Sequence, residues 1–426
     1  MERNDPRYQA YVEILKEELI PAMGCTEPIA LAYAAAKARE VLGVLPDSVQ
    51  LQVSGSIIKN VKSVIVPNTG HLKGMEAAVA AGIIAGSAEK ELEVISEVSE
   101  EKKSAIRDYL QTVPITIEHT EQGHVFDIVL TERCGQDYAR VRIADYHTNI
   151  CRIEKNGTVL YEVPLLDETV QADARADRSL LNMQDIWDFA ETADLRDVAD
   201  LLERQIRYNN AIAEEGLLGD YGANIGRVLL TTYGNDVSNR AKAKAAAGSD
   251  ARMNGCELPV IINSGSGNQG ITCSVPLIEY AKELHSGKEK LYRALIISNL
   301  VAIHEKTGIG TLSAYCGAVS AGAGAGAGIV YLCGDGYQAA IHTVVNALAI
   351  VSGIVCDGAK ASCAAKIASS VDAALLGYNM YKCNQEFKGG DGIVMKDIET
   401  TIKGIGRLGK DGMRQTNEEI IRLMMS

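Results

Sequence analysis

Apolar and polar residues repeat with two different periods along this chain, and the change of period divides it. At residues 7–20, Tyr11, Leu15, Leu19 and Ile20 fall at helical spacing and predict an amphipathic helix. A second helix is expected after Cys25. Thr26 is a good N-cap, Glu27 and Pro28 suit a first turn, and an Ala-rich run continues to about Leu42. Residues 49–66 read as strand, with VQLQVSG alternating and VKSVIVP following, before a small-residue helix at 74–87. Through 90–165 the period is two: PITIE, HVFDIVL, YARVRIA and NICRIEKNGTVLYEV alternate apolar and polar positions. Asn156-Gly157 gives the strongest hairpin signal in the chain. This stretch predicts a small antiparallel unit with one helix near 99–111. From about 180 onward helical spacing dominates, with helices expected at 184–192, 195–214, 238–247, 276–285, 288–304, 337–354, 361–376 and 393–404. The AGAGAGAG run at 321–328 reads as tight helix or turn packing. No heptad or long-period repeat stands out.

These elements predict an α+β fold, with a mostly helical catalytic domain and a smaller α/β insert containing an antiparallel sheet. Residues 1–45 are expected to complete the catalytic domain formed by 171–426, with 46–170 as the insert. A length of 426 residues allows two or three domains, or one large one. The 47% hydrophobic and 23% charged composition is that of an ordinary globular protein and excludes disorder. A net charge of −13 leaves no basic surplus for phosphates, so neither nucleic acid nor an anionic membrane is an expected partner. The 40 glycines point to a core of small residues with backbones close together. The start, MERNDPRYQA, is polar where a signal peptide would be apolar. The apolar run Ala339 to Cys356 raises the transmembrane question, but His342, Asn346 and the lack of a basic flank favour a buried helix. A cytoplasmic protein is expected, in which ten cysteines are packing residues, redox thiols or metal ligands rather than a disulfide framework.

Cys25 lies at a helix start in PAMGCTEPIA. Free N–H groups and partial positive charge there lower a thiol pKa and favour thiolate; the plain alternative is a small buried hydrophobe. Cys316, Cys356 and Cys363 sit in SAYCGAV and VCDGAKASC. No CxxC occurs, which excludes zinc-ribbon and ferredoxin patterns. Cysteines seven apart on one helix would be separated by about 10.5 Å of rise, so CDGA reads as a turn that draws the sulfurs closer. Three packed core cysteines also fit that spacing. SGSGNQG at 264–270 follows the apolar ELPVIIN and can offer N–H groups to an anion such as a carboxylate, although an ordinary turn fits equally. It also resembles the phosphate cup of pyridoxal-phosphate lyases, but upstream Lys242 and Lys244 lie in an Ala-rich helix unsuited to a Schiff base. His304, Glu305 and Lys306 end a helix near Gly308 and lack the second His of HExxH. Lys360 is placed to pair with a substrate carboxylate. Asn68, Thr69 and His71 in VPNTGHLKG read more simply as loop.

Taken in order, MGCTEP at 23–28, SGSGNQG at 264–270, HEKTGIGTLSAYCG at 304–317 and CDGAKASC at 356–363 resemble the iron–sulfur L-cysteine desulfidase family. That family is related to the α domain of bacterial iron–sulfur L-serine dehydratases, and the likeness runs over almost the whole chain. It implies conversion of L-cysteine and water to pyruvate, ammonia and hydrogen sulfide, with a [4Fe–4S] cluster and without pyridoxal phosphate. The family's cluster cysteines fall on Cys316, Cys356 and Cys363, leaving one iron open, and its N-terminal active-site cysteine falls on Cys25. Cys25 would then be general base or fourth iron ligand, with Thr26, Asn268, Gln269 and Lys360 expected to hold the substrate. Serine dehydratases have a wider gap between the last two ligands and a Ser/His-rich N-terminal motif, so CDGAKASC and MGCTEP favour the desulfidase branch. The chain also ends RLMMS, without a cysteine to cap the cluster. The cysteines at 134, 151, 256, 273, 333 and 383 are expected to be packing residues. An iron–sulfur L-serine dehydratase, a pyridoxal-phosphate lyase and a non-catalytic redox sensor are the competing readings. A homodimer is the default association.

Overall fold

The computed structural model describes residues 1–120, 124–165, 175–310, 312–352 and 354–425. Helix α1 (Pro6–Glu18) is capped by Asp5, whose carboxylate accepts from the Arg7 N–H. A short strand, β1 (Pro21–Met23), leads into α2 (Thr26–Leu42). Then come β2 (Ser48–Ser54), α3 (Gly55–Val61), α4 (Gly74–Ala85) and α5 (Glu100–Thr112). Strands β3 (Ile115–Thr120), β4 (Asp127–Cys134), β5 (Asp137–Ala144), β6 (Ile150–Lys155) and β7 (Thr158–Glu162) complete a six-stranded sheet of order β3-β2-β4-β5-β6-β7. Its inner face buries Leu51, Val53, Ile128, Leu130, Val141 and Ile143 against α2. Asn156 and Gly157, both at positive φ (51° and 81°), make the β6–β7 turn.

The fold is α+β, and the sheet is mixed rather than purely antiparallel. β2 and β3 pair in parallel, because a long helical crossover (α3, α4, α5) separates them. The strand expected at 49–66 stops at Ser54, and residues 55–61 form α3. All seven residues of α3 are buried, so its sequence shows no polar stripe to mark it as helix.

Among the described residues, the elements of the remaining chain are helices apart from β8 (Pro259–Ile261), which pairs antiparallel with β1. In order come α6 (Met183–Thr192), α7 (Ala199–Leu218), α8 (Ile225–Tyr233) and α9 (Val237–Met253). They are followed by α10 (Gly267–Glu283), α11 (Lys288–Ile309), α12 (Gly317–Cys333) and α13 (Tyr337–Val351). The last are α14 (Ser362–Lys382), α15 (Ile398–Arg407), a single π-turn at Leu408–Gly412, and α16 (Arg414–Met425). α8 and α16 were not expected from the sequence. α10 begins nine residues before its expected start, inside the glycine-rich segment, and α11 continues past Gly308. The apolar run from Ala339 belongs to buried α13, and among the described residues no helix is long and apolar enough to cross a membrane.

The glycine–alanine run is the interior of α12, which packs against α10, α11, α13 and α14. Its glycines permit this closeness. A methyl group on Gly324 would lie 2.4 Å from the Ser298 carbonyl oxygen, and one on Gly328 would lie 2.8 Å from the Ala294 carbonyl oxygen. On the other side, a methyl on Gly322 would lie 2.8 Å from the Ser370 backbone. Gly324→Ala is therefore expected to destabilise the protein by about 1–3 kcal/mol through overpacking. Gly404→Ala, on the open side of α15 where the nearest atom is 3.6 Å away, should be stabilising by about 0.5–1 kcal/mol. Chemical denaturation of the two variants checks the contrast.

Candidate active site

Four helices begin at one place. The β1–β8 pair sets the chain just before Cys25 beside the chain just before SGSGNQG. The Thr26 hydroxyl then donates to the Gly265 carbonyl at 3.0 Å, joining the starts of α2 and α10. The Gln269 amide lies against Gly317, where a Cβ would come within 2.6 Å of it, joining α10 to α12. An isolated bridge between Tyr315 and Val355 joins the start of α12 to the segment before α14. Helix starts leave N–H groups free and carry partial positive charge, so their meeting point favours anions.

The three candidate ligand cysteines are brought together here. Cys316 is the N-cap residue of α12 and Cys363 the second residue of α14. The Cys356 N–H donates to the Ala314 carbonyl at 2.7 Å, and the Cys316 N–H to the Ile354 carbonyl at 3.2 Å. The neighbouring Cys316 thiol, against the cost of burial, pulls Cys356 toward thiolate, with Lys59 and Lys306 assisting, and Cys356 correspondingly pushes Cys316 up. Cys363 faces the Gly358 carbonyl at 3.6 Å and feels the charge of Cys356. CDGA is non-helical chain between α13 and α14, so Cys356 and Cys363 do not lie on one helix. Gly358 has φ +93° and sits so close to α3 that a Cβ would lie 2.2 Å from the Lys59 carbonyl oxygen.

Two lysines, buried Lys59 and half-buried Lys306, face these sulfurs. Lys59, 1% exposed, donates to Asn417 Oδ1 at 2.7 Å and to the Cys356 carbonyl at 3.4 Å. Lys306 donates to the Gly310 carbonyl at 2.5 Å, and burial brings its pKa down to about 8. Neither meets a carboxylate among the described residues. A third, Lys366, pairs with Asp357 and donates to the Val355 carbonyl at 2.9 Å. Buried cations without counter-charges call for an anion. Three thiolates around an iron–sulfur cluster would supply it, one cysteine per iron. No three His, Cys, Asp or Glu side chains among the described residues converge on a single-ion site. Three cysteines beside two lysines without carboxylate partners are a donor set that suits an iron–sulfur cluster.

Cys25 adjoins this group: it forms a buried apolar cluster with Val64 and Met253, against which Ala359 and Cys363 pack. It is 2% exposed and is itself the N-cap residue of α2, a place expected for Thr26. The expected thiolate is not the state found. The Cys25 thiol donates to Glu27 Oε2 at 3.0 Å, and burial together with the Glu27 charge pushes its pKa well up, overriding the helix start. Burial disfavours charge on Glu27 too. His147, at 3.8 Å from Oε1, and the Cys25 thiol nevertheless hold it ionised, down to about 2. Asn60 donates to Glu27 Oε1 at 2.9 Å. Asn268 Oδ1 accepts from Arg252 Nη1 at 3.1 Å, and Gln269 keeps a buried Oε1 without a partner. Thr26, Asn268 and Gln269 therefore surround one place, whereas Lys360 is directed at Met424 Sδ, 4.0 Å away on α16.

Other singled-out residues have different duties. His304 Nε2 bonds Glu399 Oε2 at 2.8 Å, toward α15. Lys242 pairs with Asp372, and Lys244 pairs with Glu279 and Glu214. Asn68 and Thr69 bond to backbone carbonyls of their own region, and His71 is exposed at positive φ. Glu27, Lys59, Asn60, His147 and Arg252 were not singled out for the site. Lys59 in SIIKNV is a lone charge after apolar residues, a legible signal, whereas Arg252 in DARMNG follows Asp250 by two residues and His147 sits in an ordinary turn, with no such signal.

Residues 89–422 match the family model described as the serine dehydratase alpha chain. The chain is 61% identical over 426 residues to the UPF0597 protein DSY1109 of Desulfitobacterium hafniense, covering 100% of this chain and 99% of that one. It is 52% identical over 419 residues to a UPF0597 protein of Lachnoclostridium phytofermentans, covering 98% and 100%. With a UPF0597 protein of Treponema denticola the identity is 47% over 430 residues, covering 100% of both. Both kinds of match take in Cys316, Cys356 and Cys363, and the chain belongs to the serine dehydratase alpha chain family.

Proposed function

We propose that the protein is an iron–sulfur L-cysteine desulfidase, a cytoplasmic carbon–sulfur lyase that releases hydrogen sulfide, pyruvate and ammonia. The observation that carries this reading is the place of Cys25, hydrogen-bonded to Glu27, in an apolar cluster against which Cys363 of the three-cysteine group packs. Cys25 and Glu27 lie outside residues 89–422, so the part shared with serine dehydratases does not include them. Cys316, Cys356 and Cys363 would hold a [4Fe–4S] cluster. When bound, it supplies an open Lewis-acidic iron that makes the substrate sulfur a better leaving group.

The chain's own residues handle the proton. Glu27 Oε2 accepts the Cys25 hydrogen bond and orients the sulfur, and Cys25, once ionised, takes the α-proton of the substrate. Loss of hydrosulfide from the β-carbon leaves aminoacrylate, which tautomerises and hydrolyses to pyruvate and ammonia. His147 and Asn60 hold Glu27 Oε1, leaving Oε2 to face the thiol. Burial of Cys25 and Glu27 keeps bulk water from that exchange. L-serine dehydration is the second reading, favoured by the family match.

Protein reconstituted anaerobically with iron and sulfide, without pyridoxal phosphate, is expected to yield sulfide and pyruvate in equal amounts from L-cysteine. Pyruvate from L-serine, with no sulfide from L-cysteine, would establish the second reading instead. A well-formed cluster with no turnover of either would leave a redox sensor. Cys25→Ser is expected to lose about 10²-fold or more in kcat at unchanged iron content. Full turnover in that variant would remove Cys25 from the proton path. Cys316→Ser, Cys356→Ser and Cys363→Ser should each lower bound iron and the visible absorbance, with far-ultraviolet circular dichroism preserved.

A further inference from the structure

We infer that Arg252 anchors the α-carboxylate of the substrate, which restricts the site to free α-amino acids. This rests on reading the site as one for an amino acid, whether cysteine or serine. Arg252 is the next-to-last residue of α9 and is 3% exposed. It forms no ion pair among the described residues. Its Nη1 donates to Asn268 Oδ1 at 3.1 Å, and its Nε is buried without a partner.

The side chain lies across Gly267, the first residue of the 17-residue helix α10, where a methyl group would come within 2.3 Å of Nε. The cap residue there, Ser266, gives no side-chain bond to the helix start, so the first N–H groups of α10 remain open beside the guanidinium. The next residue, Met253, packs on Cys25, and the Arg252 charge acts on the Cys25 thiol.

The nearby carboxylates are committed elsewhere. Glu27 is held by Asn60, Cys25, Thr26 and His147. Asp250 accepts from the Ile225 N–H at 2.7 Å, on the side of α8. An isolated buried guanidinium is destabilising unless an anion joins it. A planar carboxylate matches its fork, with the α10 N–H groups as further donors. The site therefore separates two anions. Lys59 and Lys306 face the cysteines, and Arg252 waits beside Cys25 for a carboxylate that arrives with the substrate.

Binding can be measured apart from turnover with L-alanine, an α-amino acid that has no leaving group. Isothermal titration of the anaerobically reconstituted protein should give a Kd for L-alanine that rises about 10- to 100-fold in Arg252→Gln, the loss of a charged hydrogen-bonded pair. Arg252→Lys should recover part of that loss, and iron content should be unchanged in both. L-cysteine methyl ester, lacking the carboxylate, should be a poor substrate whose kcat/KM is equal in wild type and Arg252→Gln. Unchanged L-alanine affinity in both variants, or an ester handled as well as the free acid, would overturn the assignment. Failure to release sulfide from L-cysteine, with L-alanine binding still dependent on Arg252, would count against the desulfidase reading and leave this one standing.

Discussion

Helix α12 is buried on nearly every side, and it can lie there because residues 322, 324, 326 and 328 carry no side chain. Backbone rests on backbone toward α11 and α14. Interiors packed this densely do not deform gradually. The position of Cys316 at the α12 start is thereby fixed by the whole helical layer rather than by its own loop. The same layer aims α14, and with it Cys363, at the same point. A site built on helix ends inherits the rigidity of the helices.

Around that point the charges are arranged in two groups. On the cysteine side, buried Lys59 and half-buried Lys306 have no carboxylate partner among the described residues. On the Cys25 side, Glu27 is held ionised while Arg252 keeps an open nitrogen. Each unpaired buried charge lowers the stability of the chain taken alone. Their number at a single point is intelligible only if anionic guests belong there. Anions bound as proposed would add their binding free energy to the folding free energy.

Much of this was legible in the residues, and the exceptions have physical reasons. The strands from 115 to 162 declared themselves because one face is wet, and alternation is then visible. α3 and the first half of α10 did not, because they are buried all round and carry glycine, asparagine and glutamine at their starts. The cysteines were recognisable from their surrounding motifs. The state of Cys25 was not, because a helix start argues for thiolate and only the folded chain shows Glu27 turned back onto the sulfur. His147 reaches the site from a loop of the β-sheet, on a residue whose sequence neighbours give no hint of it. Such contacts are made by topology, and periodicity does not report topology.

The residues that meet at this point are drawn from Cys25 at one end of the chain to Asn417 near the other, with His147 between. A ribosome emits them in sequence, so most of the chain must emerge before the cysteines, lysines and Glu27 can share one space. A cluster held as proposed here would consequently be a late acquisition in the life of each molecule. Until then the chain must remain folded while carrying its own uncompensated charge, and its α12 core is what makes that interval survivable.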